Sequence, residues 1–391
     1  MTELFIQKNK DNKKIALSED GKLIEYYETN VETKRREGNI YVGIVRNIIK
    51  GMQAAFVDIG TEKNSFIYVK DIMPKEDETK TDKVVLKDIN EVIKKGQKIL
   101  VQVKKDSNEQ KGARISTHIN LPGKFIALKP ESEIITISKK IENIRERERL
   151  LKLVKENLGD GNGAIIRTAA EGKEKEIVEE IKALENKWKN IKKESKNVEV
   201  PKLINESESI EEKIIIDLIE RNLERIVIND KKELNKIKDI VNKKTKIELK
   251  ESEEILTKYE LCKQIEKIKN RKIWLKSGGF ITIDKTEALT AIDVNTGKFT
   301  GDSSLEETVF KVNKEATKEI AKQIRLRDIG GIIIIDYIDM NKKEHKEKIQ
   351  GLLEEELRKD RAKTQIEGFT KLDLMEMTRK HICSHREAER K

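Results

Sequence analysis

Two short runs carry side chains that could do chemistry together. LTAIDVN (289–295) and GIIIIDYIDM (331–340) each read as a largely apolar strand ending in an aspartate, Asp293 in one and Asp336 in the other. Between them, residues 306–326 place Val309, Val312, Ala316, Ile320 and Ile324 at helical spacing, and Gly330 and Gly331 stop that helix. A strand–helix–strand crossover of the usual right-handed kind makes the two strands neighbours in one sheet. Their carboxylates then emerge side by side at the strand ends, where open α/β sheets place their sites. Two carboxylates so placed repel unless a cation lies between them. Mg2+ suits the place, because it takes oxygen ligands and binds through one or two carboxylates while keeping several waters. Asn295 points to the same face as Asp293 and could orient a phosphate or a bound water. Spacing alone equally allows that both aspartates only cap turns after buried strands. Asp339 and Asp284 are further candidates, since periodicity does not say which aspartate faces the site. The unbroken apolar run 332–335 predicts a strand buried on both faces.

The elements that must hold these residues belong to a chain of 391 residues, enough for two to four domains. Charged residues make up 39% and hydrophobic ones 36%, so a single Lys/Glu run reads as a solvated helix face. The net charge of +10 favours a polyanionic partner but says nothing of fold. No apolar stretch reaches 18 residues and the first ten lack an apolar core, which argues against a membrane span and a secretion signal. Two cysteines, Cys262 and Cys383, make no disulfide framework and suggest a reducing, cytoplasmic setting. With 4 Pro and 20 Gly, a disordered or fibrous class is excluded.

Residues 1–27 read as two or three strands, and 38–117 as short strands punctuated by Gly, Asp and Asn, the pattern of a small barrel. Phe56 and Phe66 fall on successive runs of that barrel, where they are either core or exposed stacking groups. Residues 121–137 are strand-like. From 138 the period becomes helical (Ile141, Ile144, Leu150, Leu151, Val154), and a strand at 164–167 leads into a second helix at 173–194. Arg167 and Thr168 thus stand between a strand and a helix. A guanidinium there can grip phosphate, with backbone donors from the helix N-terminus. An ordinary surface arginine beside an N-cap threonine fits equally well. Pro201 opens a further βαβ-like stretch. The reading of the whole is a multidomain α/β protein.

The stretches WLKSGGFITIDKTEALTAIDVNTGKFTG (274–301) and LRDIGGIIIIDYIDM (326–340) closely resemble the catalytic core of the ribonuclease E/G family of RNA endonucleases. GNIYVGIVRNI (38–48) and AAFVDIG (54–60) resemble its S1 domain, IIRTAAEG (165–172) its 5′-phosphate sensor, and DRAKTQI (360–366) with 374–379 the end of its catalytic domain. The resemblance implies an RNase H-like domain (1–37 and 201–275) interrupted by an S1, OB-fold barrel (38–117) and a 5′-sensor region (118–200). A DNase I-like catalytic domain (276–380) and a tail (381–391) follow. It makes Asp293 and Asp336 the ligands of one Mg2+ and Asn295 their supporting residue. The implied enzyme is a Mg2+-dependent, single-strand-specific RNA endonuclease of RNA processing and decay. It cuts A/U-rich sites to leave 5′-phosphate and 3′-hydroxyl ends. Phe56 and Phe66 become RNA-stacking aromatics and Lys111 a backbone-phosphate contact, while Gly123, Arg167 and Thr168 line the 5′-monophosphate sensor.

The sequence departs from the family pattern in two places. Lys363 stands where a second sensor arginine aligns, and a lysine is a point charge that cannot make the planar bidentate contact. Weaker 5′-end discrimination is expected. Family members also carry a CPxC motif through which two chains share a zinc. Here the tail reads HICSHREAERK (381–391), so zinc is not expected, and a homodimer, if formed, is not zinc-linked. His381, Cys383 and His385 alternate in that tail and are not expected to bind metal. Two rival readings remain: an RNA-binding relative with weakened catalysis, and a polyanion binder driven only by charge. Neither has a use for two clustered carboxylates that repel RNA.

Overall fold

A computed structural model describes residues 1–30, 36–72, 88–107, 111–138, 140–218, 223–238, 240–241, 245–250, 252, 254–297 and 305–383. The chain forms two compact units, one of Met1–Lys34 with Ser209–Lys391 and the other of Arg35–Glu208. The α/β reading holds. No helix among the described residues is long and apolar enough to cross a membrane.

The first unit contains two sheets. In the five-stranded one, Thr2–Lys8 pairs in parallel with Leu223–Ile228, which pairs in parallel with Lys246–Leu249. On the other side Asn12–Glu19 and Lys22–Asn30 continue antiparallel. The six-stranded sheet runs in the order Lys272–Trp274, Phe280–Lys285, Leu289–Asn295, Gly331–Asp336, Leu374–Arg379, Thr364–Phe369. Only its central pair, Leu289–Asn295 with Gly331–Asp336, is parallel. One face of this sheet presents Ile281, Ile283, Ile292, Val294, Ile333, Ile335, Met375 and Met377 to the core. The helices Leu305–Leu326 and Lys343–Leu357 cover that face with Val309, Val312, Ala316, Ile320, Ile324, Ile349 and Leu353.

The opposite face stays open along these strands. Ile333 and Ile335 are fully buried, but Ile332 is 50% exposed and Ile334 half-buried. The expectation of a strand buried on both faces is therefore wrong. An unbroken isoleucine run satisfies one buried face as well as two, because only every second side chain reaches the helices.

A buried ion cluster fixes where the central strand begins. Arg379, at 0% exposure, donates to Asp328 and Asp360 at 2.7 Å each. Asp328 also accepts from the backbone amides of Ile382 (3.0 Å) and Cys383 (2.7 Å). Three segments far apart in the chain are thereby tied at the head of Gly331–Asp336. Removing one partner of such a cluster costs about 3–5 kcal/mol, because the remaining charges stay buried without compensation.

In the second unit, strands Ile40–Ile49, Ala54–Asp58, Ser65–Tyr68, Arg114–Ser116 and Lys98–Lys105 close into a barrel by pairing of the first with the last. A five-stranded closed barrel fits an OB-like domain. Lys202–Asn205 adds to it by pairing with Ile40–Ile49. A second sheet holds Leu121–Pro122, Ile126–Pro130, Ile135–Ile137 and Asn162–Ile166. It packs with the helices Ile144–Asn157 and Glu174–Lys196 around Leu150, Val154, Ile177, Ile181, Leu184 and Trp188. Ile141 is buried ahead of the first helix, and Ile144 at its start is 71% exposed, so the helical period begins later than the sequence suggests.

Candidate active site

Strand register places the acidic pair. Asp293 and Asp336 are direct partners across the parallel strands, as Ile292 and Ile335 are one step earlier. The isoleucines go into the core, so the aspartates must come out on the open face. Both are exposed in a cleft of about 270 Å³ whose lining includes Asp293, Asn295, Thr296, Asp336 and Asp339. Asn295 donates from Nδ2 to Asp293 Oδ2 at 2.5 Å and holds one carboxylate oxygen in place. Desolvation, followed by the charges of Asp293 and Asp339, pushes the Asp336 carboxyl above the usual aspartate range. Two oxygen-rich, mutually repelling carboxylates at the mouth of an open cleft fit a hard divalent cation. No cluster of three or more His, Cys, Asp or Glu side chains suited to a metal occurs among the described residues.

The choice left open among the other aspartates is made by local partners. Arg271 binds Asp284 through two hydrogen bonds of 2.5 and 2.6 Å and holds its carboxyl below the usual range. Asp284 is thus occupied, whereas Asp339 lines the cleft.

Several positioning residues were not legible in the sequence. Asn313, fully buried on the long helix, donates to the Ile338 carbonyl (2.7 Å) and accepts from the Ile338 amide (3.1 Å). This clamp fixes the segment just past Asp336. Thr317 donates to the Asn313 carbonyl at 2.7 Å and its hydroxyl lies 3.0 Å from that of Tyr337, whose ionisation burial disfavours. A polar residue inside an apolar helical stripe was the one available signal. On the other side, Glu315 accepts from the amides of Lys276 (2.6 Å) and Ser277 (3.1 Å). Gly297 (φ +59°) packs so closely there that a Cβ would stand 2.4 Å from the Gly278 carbonyl.

In the barrel, Phe56 and Phe66 are direct antiparallel partners. The alternate residues Val57 and Ile67 fill the barrel core, so both rings lie on its outside, Phe56 at 36% exposure and Phe66 half-buried. Tyr68 joins them edge-on to Phe66 at 5.5 Å, and the Arg114 guanidinium lies 5.5 Å from the Tyr68 centroid. Tyr68 and Arg114 were missed because neither breaks the strand pattern. Lys111 is exposed, two residues before Ala113, whose carbonyl accepts from Phe66 at 2.9 Å. The turn between them requires Gly112, where a Cβ would meet the Asn64 carbonyl at 1.9 Å.

Arg167 and Gly123 also meet. The Arg167 Nη1 donates to the Gly123 carbonyl at 2.6 Å, and Thr168 lies exposed beside Ser138, hydroxyl to hydroxyl at 3.1 Å. The helix begins within one residue of the expected position, but its N-terminus is not at Thr168. Thr168–Ala170 is a single 3-10 turn, Gly172 (φ +68°) breaks the chain, and the α-helix starts only at Glu174. Lys363 belongs to the other unit and lines a separate cleft of about 360 Å³ with Gly331, Thr364 and Lys380. In the tail, His381 Nδ1 is 2.8 Å from the Asp328 carbonyl oxygen and Cys383 is buried, while His385 lies outside the described residues.

Comparison with known proteins adds a family. The Ribonuclease E/G family model matches residues 120–382. Ribonuclease G of Salmonella typhimurium (strain SL1344) is 37% identical over 388 residues, covering 97% of this chain and 79% of its own length. Ribonuclease G of Haemophilus influenzae is 38% identical over the same shares. Ribonuclease E of Nostoc sp. is 36% identical over 354 residues, 88% of this chain but 51% of the relative, which extends well beyond the match.

Proposed function

Because this chain belongs to the ribonuclease E/G family and is an endoribonuclease, we propose that it cuts single-stranded, A/U-rich RNA with the Asp293–Asp336 pair as its catalytic centre, in RNA processing and decay. The observation that carries this reading is the register of those two aspartates, opposite one another at the mouth of an open cleft. Asp293 and Asp336 would hold the divalent ion, Mg2+ by the hardness of its ligands. When bound, that ion supplies a water of lowered pKa and offsets charge on the phosphoryl oxygens. Asn295 fixes the Asp293 carboxylate through its amide nitrogen, which leaves the amide oxygen to orient the attacking water. Water adds to phosphorus as the 3′ oxygen leaves, giving 5′-phosphate and 3′-hydroxyl ends. The Asn313 clamp on Ile338 keeps Asp336 and Asp339 from swinging apart.

Substrate capture rests on the barrel. Phe56 and Phe66 present ring surface outside the core and would stack bases, with Lys111 against the phosphate backbone. Arg167, steered by its bond to the Gly123 carbonyl, and Thr168 would read a 5′-monophosphate. At Lys363, where the resemblance aligns a second sensor arginine, a lysine would read a 5′-phosphate less strictly than an arginine.

The test is cleavage of a 5′-phosphorylated A/U-rich oligonucleotide with Mg2+ or with EDTA. Mg2+-dependent cutting, lost in Asp293→Asn, is expected. Absence of a Mg2+-dependent cut, or a cut that survives Asp293→Asn undiminished, overturns the reading.

A further inference from the structure

The acidic cleft takes up only part of the sheet's open face. On the edge strand Lys272–Trp274, Trp274 is the partner of Phe280, which is the partner of Asn295. Likewise Lys272 is the partner of Thr282, which is the partner of Asp293. Partners across a sheet share a face, so Trp274, Phe280 and Lys272 stand on the same surface as the aspartates. At about 4.8 Å per strand, Trp274 lies roughly 10 Å from Asn295 across the sheet.

This cluster is built for an aromatic, anionic ligand. Trp274 is 61% exposed and meets Phe280 edge-on with centroids 5.3 Å apart. The Lys272 ammonium lies 4.1 Å from the Trp274 centroid and 3.5 Å from that of Phe280, which braces both rings by cation–π attraction. An indole this exposed gains little for the fold, yet it stands on the sheet face that carries the aspartates, two strands from Asn295. Ring surface with a cation beside it matches a nucleotide, base against indole and phosphate against ammonium.

We infer that Trp274, braced by Phe280 and with Lys272 at its side, stacks a nucleobase of the substrate strand next to the phosphate at Asp293 and Asp336. The subsite lies in the unit that does the chemistry and is separate from the barrel aromatics. It rests on the nuclease reading of the cleft.

The chain contains two tryptophans, and Trp188 is only 7% exposed, so quenching by a bound strand reports on Trp274 over a constant Trp188 background. The full chain carrying Asp293→Asn is titrated with a short single-stranded A/U-rich oligonucleotide. Quenching is expected, retained in Trp188→Phe and lost in Trp274→Phe. By anisotropy of labelled RNA, Trp274→Ala weakens binding about 5- to 150-fold, the range for one stacked base, and Trp274→Phe recovers part of it. Lys272→Gln lowers the slope of log affinity against log salt by about 1, an outcome that stands even if Trp274→Ala fails to fold. Undiminished binding by Trp274→Ala, or no quenching while Trp274 is present, overturns the inference, and the nuclease reading survives it if Asp293→Asn still abolishes cutting. Cutting that persists in Asp293→Asn removes the premise itself. Trp274→Ala that dissociates a larger species in sedimentation, with RNA affinity unchanged, assigns the face to a second copy of this chain and also overturns the inference.

Discussion

The acidic pair and the barrel's phenylalanine pair are made by the same device, two residues in direct register across neighbouring strands. They differ in what the fold gains. Like charges directly opposite each other destabilise a sheet, whereas two aromatic residues opposite each other stabilise it. Asp293 facing Asp336 is therefore a pairing that stability alone would discard, and its presence points to a ligand. Phe56 facing Phe66 would be kept by packing in any case. Its functional reading comes from the alternation that puts Val57 and Ile67 inside and the two rings outside.

That contrast can be broken by separating activity from stability. The largest effect is expected for Asp336→Asn, which lowers cleavage by about 10³-fold, on the scale of losing a main electrostatic group in the site. The same change, made in chelator, raises the thermal midpoint slightly because the repulsion is gone. A lower midpoint would mean that the pair is structural. Next comes the double change Phe56→Ala and Phe66→Ala. Losing two stacking bases weakens single-strand binding by about 100-fold in an anisotropy titration, with kcat at saturating RNA little altered. An unchanged affinity would return both rings to a purely packing role.

Smaller effects sharpen the comparison. Arg167→Lys is expected to reduce the ratio of cleavage for 5′-phosphorylated over 5′-hydroxyl RNA by about tenfold, while Lys363→Arg raises it. A ratio that neither change moves removes both from 5′-end reading. The smallest effect concerns Glu146, whose carboxylate accepts from Arg149 and from the Gly172 amide (2.9 Å) and so ties the helix Ile144–Asn157 to the turn after Thr168. These bonds hold its pKa down from 4.5 to about 2. A depressed carboxylate contributes stability above its unfolded value and loses it as pH falls from about 4.5 toward 2. Glu146→Gln should flatten the acid limb of a thermal-unfolding profile by less than about 1 kcal/mol, the pair with Arg149 being partly open to solvent. A steeper limb in the variant would contradict the assignment.

Much of this molecule was readable before any coordinates, and for definite reasons. The strand–helix–strand order around Asp293 and Asp336 follows from hydrophobic period and crossover geometry, both local properties, and the observed pairing agrees. The isoleucine run at 332–335 misled because a continuous apolar string does not say how many of its faces are covered. The choice between Asp284 and Asp339 was beyond periodicity, since it depended on Arg271 reaching across to one of them.

The sequence by itself determined the class of chemistry through the resemblance of 274–301 and 326–340 to a known catalytic core, while residue type and two-residue alternation nominated the side chains able to leave the core. Tertiary structure alone decided the rest: that Asn313 grips Ile338, that Arg379 gathers Asp328 and Asp360 at the head of the central strand, and that one sheet face stays uncovered. Those outcomes depend on contacts between residues distant in the chain, and hydrogen-bond partners at such separation leave no periodic trace in the string of amino acids.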